Sequence, residues 1–168
     1  MKPIKALFVD DEKLQHKMIR SLLDELRLPV DAHFFFGAKD LFFSLEDHPD
    51  VDVIFLDVEM PGLDGLAIAR KIRQNLPDVA IVFITAYSDY AVKSYDVKAL
   101  DYLLKPVTAE RLRQALHRVA EVLPAADTYL LIDRQKYLLH EIRYIEAQGH
   151  LCLLHRKNEV RILHVTRQ

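Results

Sequence analysis

The sequence predicts a doubly wound α/β fold, a (βα)5 parallel sheet over residues 1–123, followed by a short all-β segment. Three observations predict it. Five short runs are apolar without the polar alternation of a half-exposed strand, so both of their faces are covered. Between them, apolar residues recur at three- and four-residue spacing, the period of an amphipathic helix. Acids, a threonine or a lysine stand where each of four runs leaves the sheet.

Each element follows in order. Ile4–Val9 is a continuous apolar strand, cut off by Asp10-Asp11-Glu12. Leu14, Met18, Ile19, Leu22, Leu23 and Leu26 lie along one helix face. Val30–Phe36 is the second strand, ended by Gly37, and a short helix over about Lys39–Glu46 is broken at His48-Pro49. Val51–Leu56 is the third strand and stops at Asp57. Pro61-Gly62 makes a turn, Asp64 caps the next helix, and Leu66, Ile68, Ala69 and Ile72 are its buried face. Ala80–Ile84 is the fourth strand, ending at Thr85; a short helix is expected near Asp89–Asp96. Tyr102–Leu104 is the fifth strand, closed by Lys105-Pro106. Thr108 caps a last helix that carries Leu112, Ala115, Leu116, Val119 and Leu123.

Residues 124–128 read as a linker. Beyond it, Tyr129–Ile132, Tyr137–His140, Arg143–Ile145, Leu151–His155 and Val160–His164 are β-prone runs separated by turn signals, with no helical period. Residues 129–168 are therefore a small all-β unit, and about 40 residues barely support a core alone.

Composition narrows the class. Of 168 residues, 51% are hydrophobic and 29% charged, which excludes a disordered, collagen-like or disulfide-scaffold chain. The single cysteine, Cys152, has no partner within the chain and fits a reducing cytoplasm. The basic N-terminal run is too short for a signal-peptide core or a membrane span. The net charge of −2 hides an acidic front and a mildly basic tail, too weakly basic to establish nucleic-acid binding.

In such sheets the working site lies beyond the carboxyl ends of the strands. That rule brings Asp10, Asp11 and Asp57 into one pocket, where three repelling carboxylates need a cation. Hard oxygen ligands in a solvated cleft suit Mg²⁺, which keeps several waters and leaves room for a phosphate oxygen. Lys105 enters as a mobile point charge, and Thr85 adds a hydroxyl at the rim. Any one of these residues alone reads as an ordinary strand-end residue; the set, each after the correct strand, points to a site.

The motifs carry a resemblance. Phe8-Val9-Asp10-Asp11-Glu12, Phe55-Leu56-Asp57-Val58-Glu59-Met60-Pro61-Gly62-Leu63-Asp64-Gly65, Ile84-Thr85-Ala86 and Asp101-Tyr102-Leu103-Leu104-Lys105-Pro106 resemble the receiver domain of bacterial response regulators over about residues 1–123. The resemblance implies the flavodoxin-like strand order 2-1-3-4-5. It implies that Asp57 accepts a phosphoryl group from a sensor histidine kinase, and that Asp11 binds Mg²⁺ directly, with Asp10 acting mostly through water. The backbone carbonyl of Glu59 would be a further ligand, and the Lys105–Pro106 bond would be cis. Thr85 and Tyr102 would form the switch, changing the surface of the expected fourth helix (near Asp89–Asp96), the fifth strand and the last helix through which a homodimer is expected. Glu59 and Tyr87 would influence the lifetime of the phosphate. The chain would not be an enzyme in its own right, beyond assisting its own phosphorylation and dephosphorylation.

Ile142–His155, with its Tyr144-Ile145-Glu146-Ala147 run and Gly149-His150, resembles the opening of a LytTR-type DNA-binding module. That module spans about 100 residues in the family, so the output is expected to be incomplete here, binding DNA only if completed. His150, Arg156 and Lys157 are the candidate DNA contacts, against a plain reading as a polar hairpin turn. Two rivals remain open: a phosphatase-like enzyme with Asp57 as transient nucleophile, and a stand-alone receiver acting through protein contacts. Phe34-Phe35-Phe36 and Phe42-Phe43 are expected in the core, and Cys152 is expected to be a quiet strand thiol.

Overall fold

The apolar runs form one parallel sheet. β1 (Ile4–Val9), β2 (Val30–Phe35), β3 (Val53–Asp57), β4 (Ala80–Thr85) and β5 (Asp101–Leu104) lie in the order β2-β1-β3-β4-β5, the predicted flavodoxin-like arrangement. The structure, a computed structural model, describes all residues except 1, 48, 88–93, 124–128, 133–134, 139–140, 149–150, 157–159 and 165–168. The chain divides into two compact units, Met1–Leu123 and Pro124–Gln168.

The strands are continuously apolar because helices cover both faces. Along β3, Val53 and Phe55 pack with Ile19 of α1 (Lys13–Leu26) and Leu112, Leu116 and Val119 of α4 (Ala109–Val122). The alternate residues Ile54 and Leu56 pack with Leu41 of α2 (Ala38–Asp47) and with Leu66, Ile68 and Ile72 of α3 (Gly65–Asn75). Alternation along a strand thus feeds two cores rather than one core and solvent.

Register sets the site. Val9 lies opposite Leu56, Asp57 opposite Ile84, and Thr85 opposite Leu104. β1, β3, β4 and β5 therefore finish along one rim, and the strand order reverses between β1 and β3, where such sheets hold their ligands. Two caps appear as the sequence predicts. Asp64 accepts a hydrogen bond from the Leu66 N–H at 2.9 Å, and Thr108 accepts one from the Arg111 N–H at 3.3 Å. α1 ends where Arg27 turns left-handed, at φ 51°, its N–H still donating to the Leu23 carbonyl at 3.1 Å.

One expectation falls mostly outside the described residues, and one changes. Most of the predicted fourth helix, Asp89–Asp96, lies outside the described residues, and Ser94–Val97 forms a single 3-10 turn. The aromatic run is also split: Phe34 stacks on Phe8, whose other neighbour is Phe55, whereas Phe36 and Phe43 are 52% and 69% exposed. Phe36 lies just past the end of β2, and Phe43 lies on the outer side of α2, so neither has a sheet beneath it.

The second unit is antiparallel. β6 (Tyr129–Ile132) pairs with β7 (Gln135–Leu138), and β8 (Ile142–Gln148), β9 (Leu151–Arg156) and β10 (Val160–His164) form a sheet in that order. Among its described residues, Tyr137 and Leu154 are buried, with Ile142 and Cys152 packed against them. Cys152 is a half-buried strand thiol, as expected.

Candidate functional site

Three carboxylates converge beyond the sheet. Asp10 follows β1, its N–H held by the Phe35 carbonyl at 3.1 Å, and Asp57 is the last residue of β3, only 1% exposed. One carboxylate oxygen from each of Asp10, Asp11 and Asp57 lies within 4.8 Å of the others; Asp10 and Asp57 are buried and Asp11 is exposed. The buried pair is held by its own backbone. Asp10 Oδ1 accepts from the Glu12 N–H at 2.8 Å, and Asp57 Oδ1 accepts from the Glu59 N–H at 3.0 Å.

The second oxygen of each faces Lys105. Its Nζ lies 2.9 Å from Asp10 Oδ2 and 3.2 Å from Asp57 Oδ2, and only 13% of the side chain is exposed. The lysine stands one residue past β5, its N–H donating to the Thr85 carbonyl at 2.8 Å, and the peptide that follows, to Pro106, is cis. Burial raises the pKa of Asp57; the Glu59 N–H opposes that, the Asp10 charge adds to it, and Lys105 opposes it. Burial alone would lower Lys105, but the hydrogen bond to Asp10 and the charges of Asp10 and Asp57 outweigh it and raise the ammonium pKa. The pocket therefore holds more carboxylate than its single ammonium neutralises. Hard oxygen donors in that surplus fit a small divalent cation that retains water.

Thr85 closes the rim. It is buried, and its Oγ1 accepts from the Tyr87 N–H at 3.1 Å. The Tyr87 carbonyl accepts in turn from the Tyr102 hydroxyl. The peptide groups of Tyr87 thus join the hydroxyl of Thr85 to that of Tyr102, a link that sequence spacing does not reveal because it runs through backbone. Glu59 is exposed two residues past Asp57, and the Tyr87 ring is exposed.

Gly65 is a residue whose role sequence reasoning missed. A Cβ there would stand 2.7 Å from Val58 Cα and 2.8 Å from the Asp57 carbonyl oxygen, so only glycine lets α3 begin against the strand end that carries Asp57. The signal was its place one residue after the Asp64 cap. In the second unit, Arg156 ends β9, half-buried and paired with Glu141. His150 and Lys157 lie outside the described residues.

Comparisons with known proteins identify the family. The family model for the response regulator receiver domain matches residues 6–117. The chain is 35% identical over 151 residues to the transcriptional regulatory protein BtsR of Salmonella typhi, covering 88% of this chain and 59% of the relative. It is 35% identical over 167 residues to the sensory transduction protein LytT of Oceanobacillus iheyensis, covering 90% of this chain and 66% of the relative. It therefore spans less than two thirds of the length of these curated relatives. Among solved structures, a response regulator receiver domain protein from Clostridium thermocellum aligns with TM-score 0.64 and 27% identity, over 70% of this chain and 94% of that one. The receiver domain of AraT, a response regulator from Geobacillus stearothermophilus, aligns with TM-score 0.59 and 33% identity, over 70% of this chain and 93% of that one.

Proposed function

The chain belongs to the response regulator receiver family, and on that premise we propose that Asp57 takes a phosphoryl group from a sensor histidine kinase and thereby switches an output. The observation that carries the reading is the convergence of Asp10, Asp11, Asp57 and Lys105 at the end of the sheet.

Asp57 Oδ1 is occupied by the Glu59 N–H, which leaves Oδ2, on the Lys105 side, to attack phosphorus. A P–O bond to Asp57 forms as the P–N bond to the kinase histidine breaks, and the imidazole leaves with its electron pair. The product is an acyl phosphate. Mg²⁺, held by Asp11 directly, by Asp10 mostly through water, by Asp57 and by the Glu59 carbonyl, would neutralise charge on the transferring group. Lys105, already between the two buried acids, would turn to a phosphoryl oxygen and neutralise a second part of that charge.

Thr85 then offers its hydroxyl to the new oxygens and gives up the Tyr87 N–H. Loosening Tyr87 releases the carbonyl that holds Tyr102, and the Tyr102 ring turns inward. The altered surface of β5 and α4, together with the helix expected near Asp89–Asp96, would be the homodimer contact. Glu59 and the exposed Tyr87 ring flank the path of attacking water and would set the phosphate lifetime.

Receivers of transcriptional regulators are generally not enzymes, and here the chain would only assist its own phosphorylation and dephosphorylation. Residues 1–123 would be the receiver, 124–128 the linker, and 129–168 would belong to a LytTR-type output that acts on DNA. His150, Arg156 and Lys157 are its proposed contacts, although Arg156 is engaged with Glu141 in the present structure. A cytoplasmic location fits this role, and among the described residues no helix is long and apolar enough to cross a membrane. The test is incubation with acetyl phosphate and Mg²⁺ followed by peptide mass analysis. One phosphoryl group on Asp57, absent without Mg²⁺ and in Asp57→Asn, supports the reading, whereas steady turnover of generic phosphoesters would point to the phosphatase instead.

A further inference from the structure

Arg73 lies near the end of α3, by the amino end of β4, the opposite edge of the sheet from the acidic pocket. Its guanidinium is spent on backbone. Nη1 donates to the Pro77 and Val79 carbonyls, both at 2.7 Å, Nε to the Val97 carbonyl at 3.1 Å, and Nη2 to the Lys98 carbonyl at 3.4 Å. One side chain therefore ties the turn entering β4 to the chain entering β5. The tied point is otherwise hard to hold. Val97 ends a single 3-10 turn, whose last carbonyls have no partner of their own, and Lys98 is left-handed at φ 51° without being glycine. Directly afterwards the Leu100 N–H donates to the Ile81 carbonyl at 2.7 Å, and β5 begins.

β5 has a demanding task in the proposed switch. It carries Tyr102, whose ring must turn, and leads to Lys105, whose backbone must stay beside the acidic pocket while the ammonium turns and the chain after Thr85 moves. Motion started at Tyr87 has to be absorbed before it reaches β5. A planar fork with five fixed donors holds these four carbonyls from two separate turns, more than the three donors on the single nitrogen of a lysine can serve.

We infer that Arg73 is a positioning residue of the switch: by holding the Val97 and Lys98 carbonyls it makes the entry of β5 the fixed end against which the Thr85–Tyr87 end moves. This rests on the phosphoryl-switch reading of Asp57.

Amide hydrogen exchange on the full chain, with and without Mg²⁺ and beryllofluoride as a phosphoryl mimic, tests it in wild type, Arg73→Ala and Arg73→Lys. In wild type, exchange around Tyr87 responds to beryllofluoride, and exchange over residues 97–102 does not. In both variants exchange over 97–102 rises by about tenfold or more and becomes responsive to beryllofluoride, while the centre of β3 keeps its protection. The inference is overturned if 97–102 responds in wild type as strongly as Tyr87, or if the variants leave 97–102 unchanged. It is also overturned if exchange rises uniformly through β3, since Arg73 would then act on global stability alone. In each of these cases the Tyr87 response persists; its loss in wild type would instead overturn the switch reading, and the inference with it.

Discussion

Asp57 and Asp10 spend their oxygens in the same way, one on a backbone N–H and one on Lys105. That division fixes both carboxylates before any ligand arrives, so binding a cation requires little reorganisation. Lys105→Ala leaves two buried acids without their ammonium. Removing one partner of a buried ion set costs about 3–5 kcal/mol, and a thermal melt of the variant without Mg²⁺ should show a marked loss that Mg²⁺ partly restores. Acidity acts on the same pair. Burial raises the Asp57 pKa, so a proton competes with the cation at a higher pH than it would at an exposed carboxylate. Mg²⁺ affinity, followed by titration at falling pH, should therefore decline before the ordinary carboxylate range is reached. Tyr102→Phe removes the hydroxyl that holds the Tyr87 carbonyl, worth about 1 kcal/mol. It should leave acetyl phosphate labelling of Asp57 intact while raising self-association of the unphosphorylated chain in sedimentation, because the ring is no longer held outward.

Elements were the most legible scale. Continuous apolar runs identified the five strands, because residues covered on both faces have no polar alternation to blur the signal, and Asp64 and Thr108 marked two helix starts through their capping chemistry. Legibility failed where a residue's role depends on what lies across from it. Phe36 and Phe43 look like core by type, yet stand where no sheet lies beneath them. The Thr85–Tyr87–Tyr102 link and the Arg73 clamp run through backbone carbonyls, which every residue possesses and no motif reports. Gly65 belongs here too: its need for glycine comes from the approach of α3 to β3 rather than from an unusual φ. Gly65→Ala should cost about 1–3 kcal/mol through backbone displacement, and because that displacement falls on Asp57, labelling by acetyl phosphate should slow as well.

At the scale of the molecule, two units divide the work unequally. Unit Met1–Leu123 contains both large cores and the entire acidic pocket, whereas among the described residues of Pro124–Gln168 the buried hydrophobic residues are Tyr137 and Leu154. A unit of that size is marginal on its own. Leu154→Asp, which places an unpaired charge in the smaller core, should abolish its share of the β signal in far-ultraviolet dichroism and leave Asp57 labelling at the wild-type rate. The alternation of periods made this division visible in the sequence, since helical spacing stops after Leu123 and does not return. What the second unit binds was less legible, because two of its three candidate contacts, His150 and Lys157, lie outside the described residues.

The proposed phosphoryl transfer requires Asp10, Asp11 and Asp57 to share one divalent cation. Calorimetric titration of the full chain with Mg²⁺ tests it most directly, in wild type beside Asp11→Asn and Asp57→Asn. One bound ion in wild type, with affinity reduced by about tenfold or more in each variant, an amount equal to about 1.4 kcal/mol, is the predicted result. Undiminished Mg²⁺ binding in both variants, or none in wild type, would contradict it.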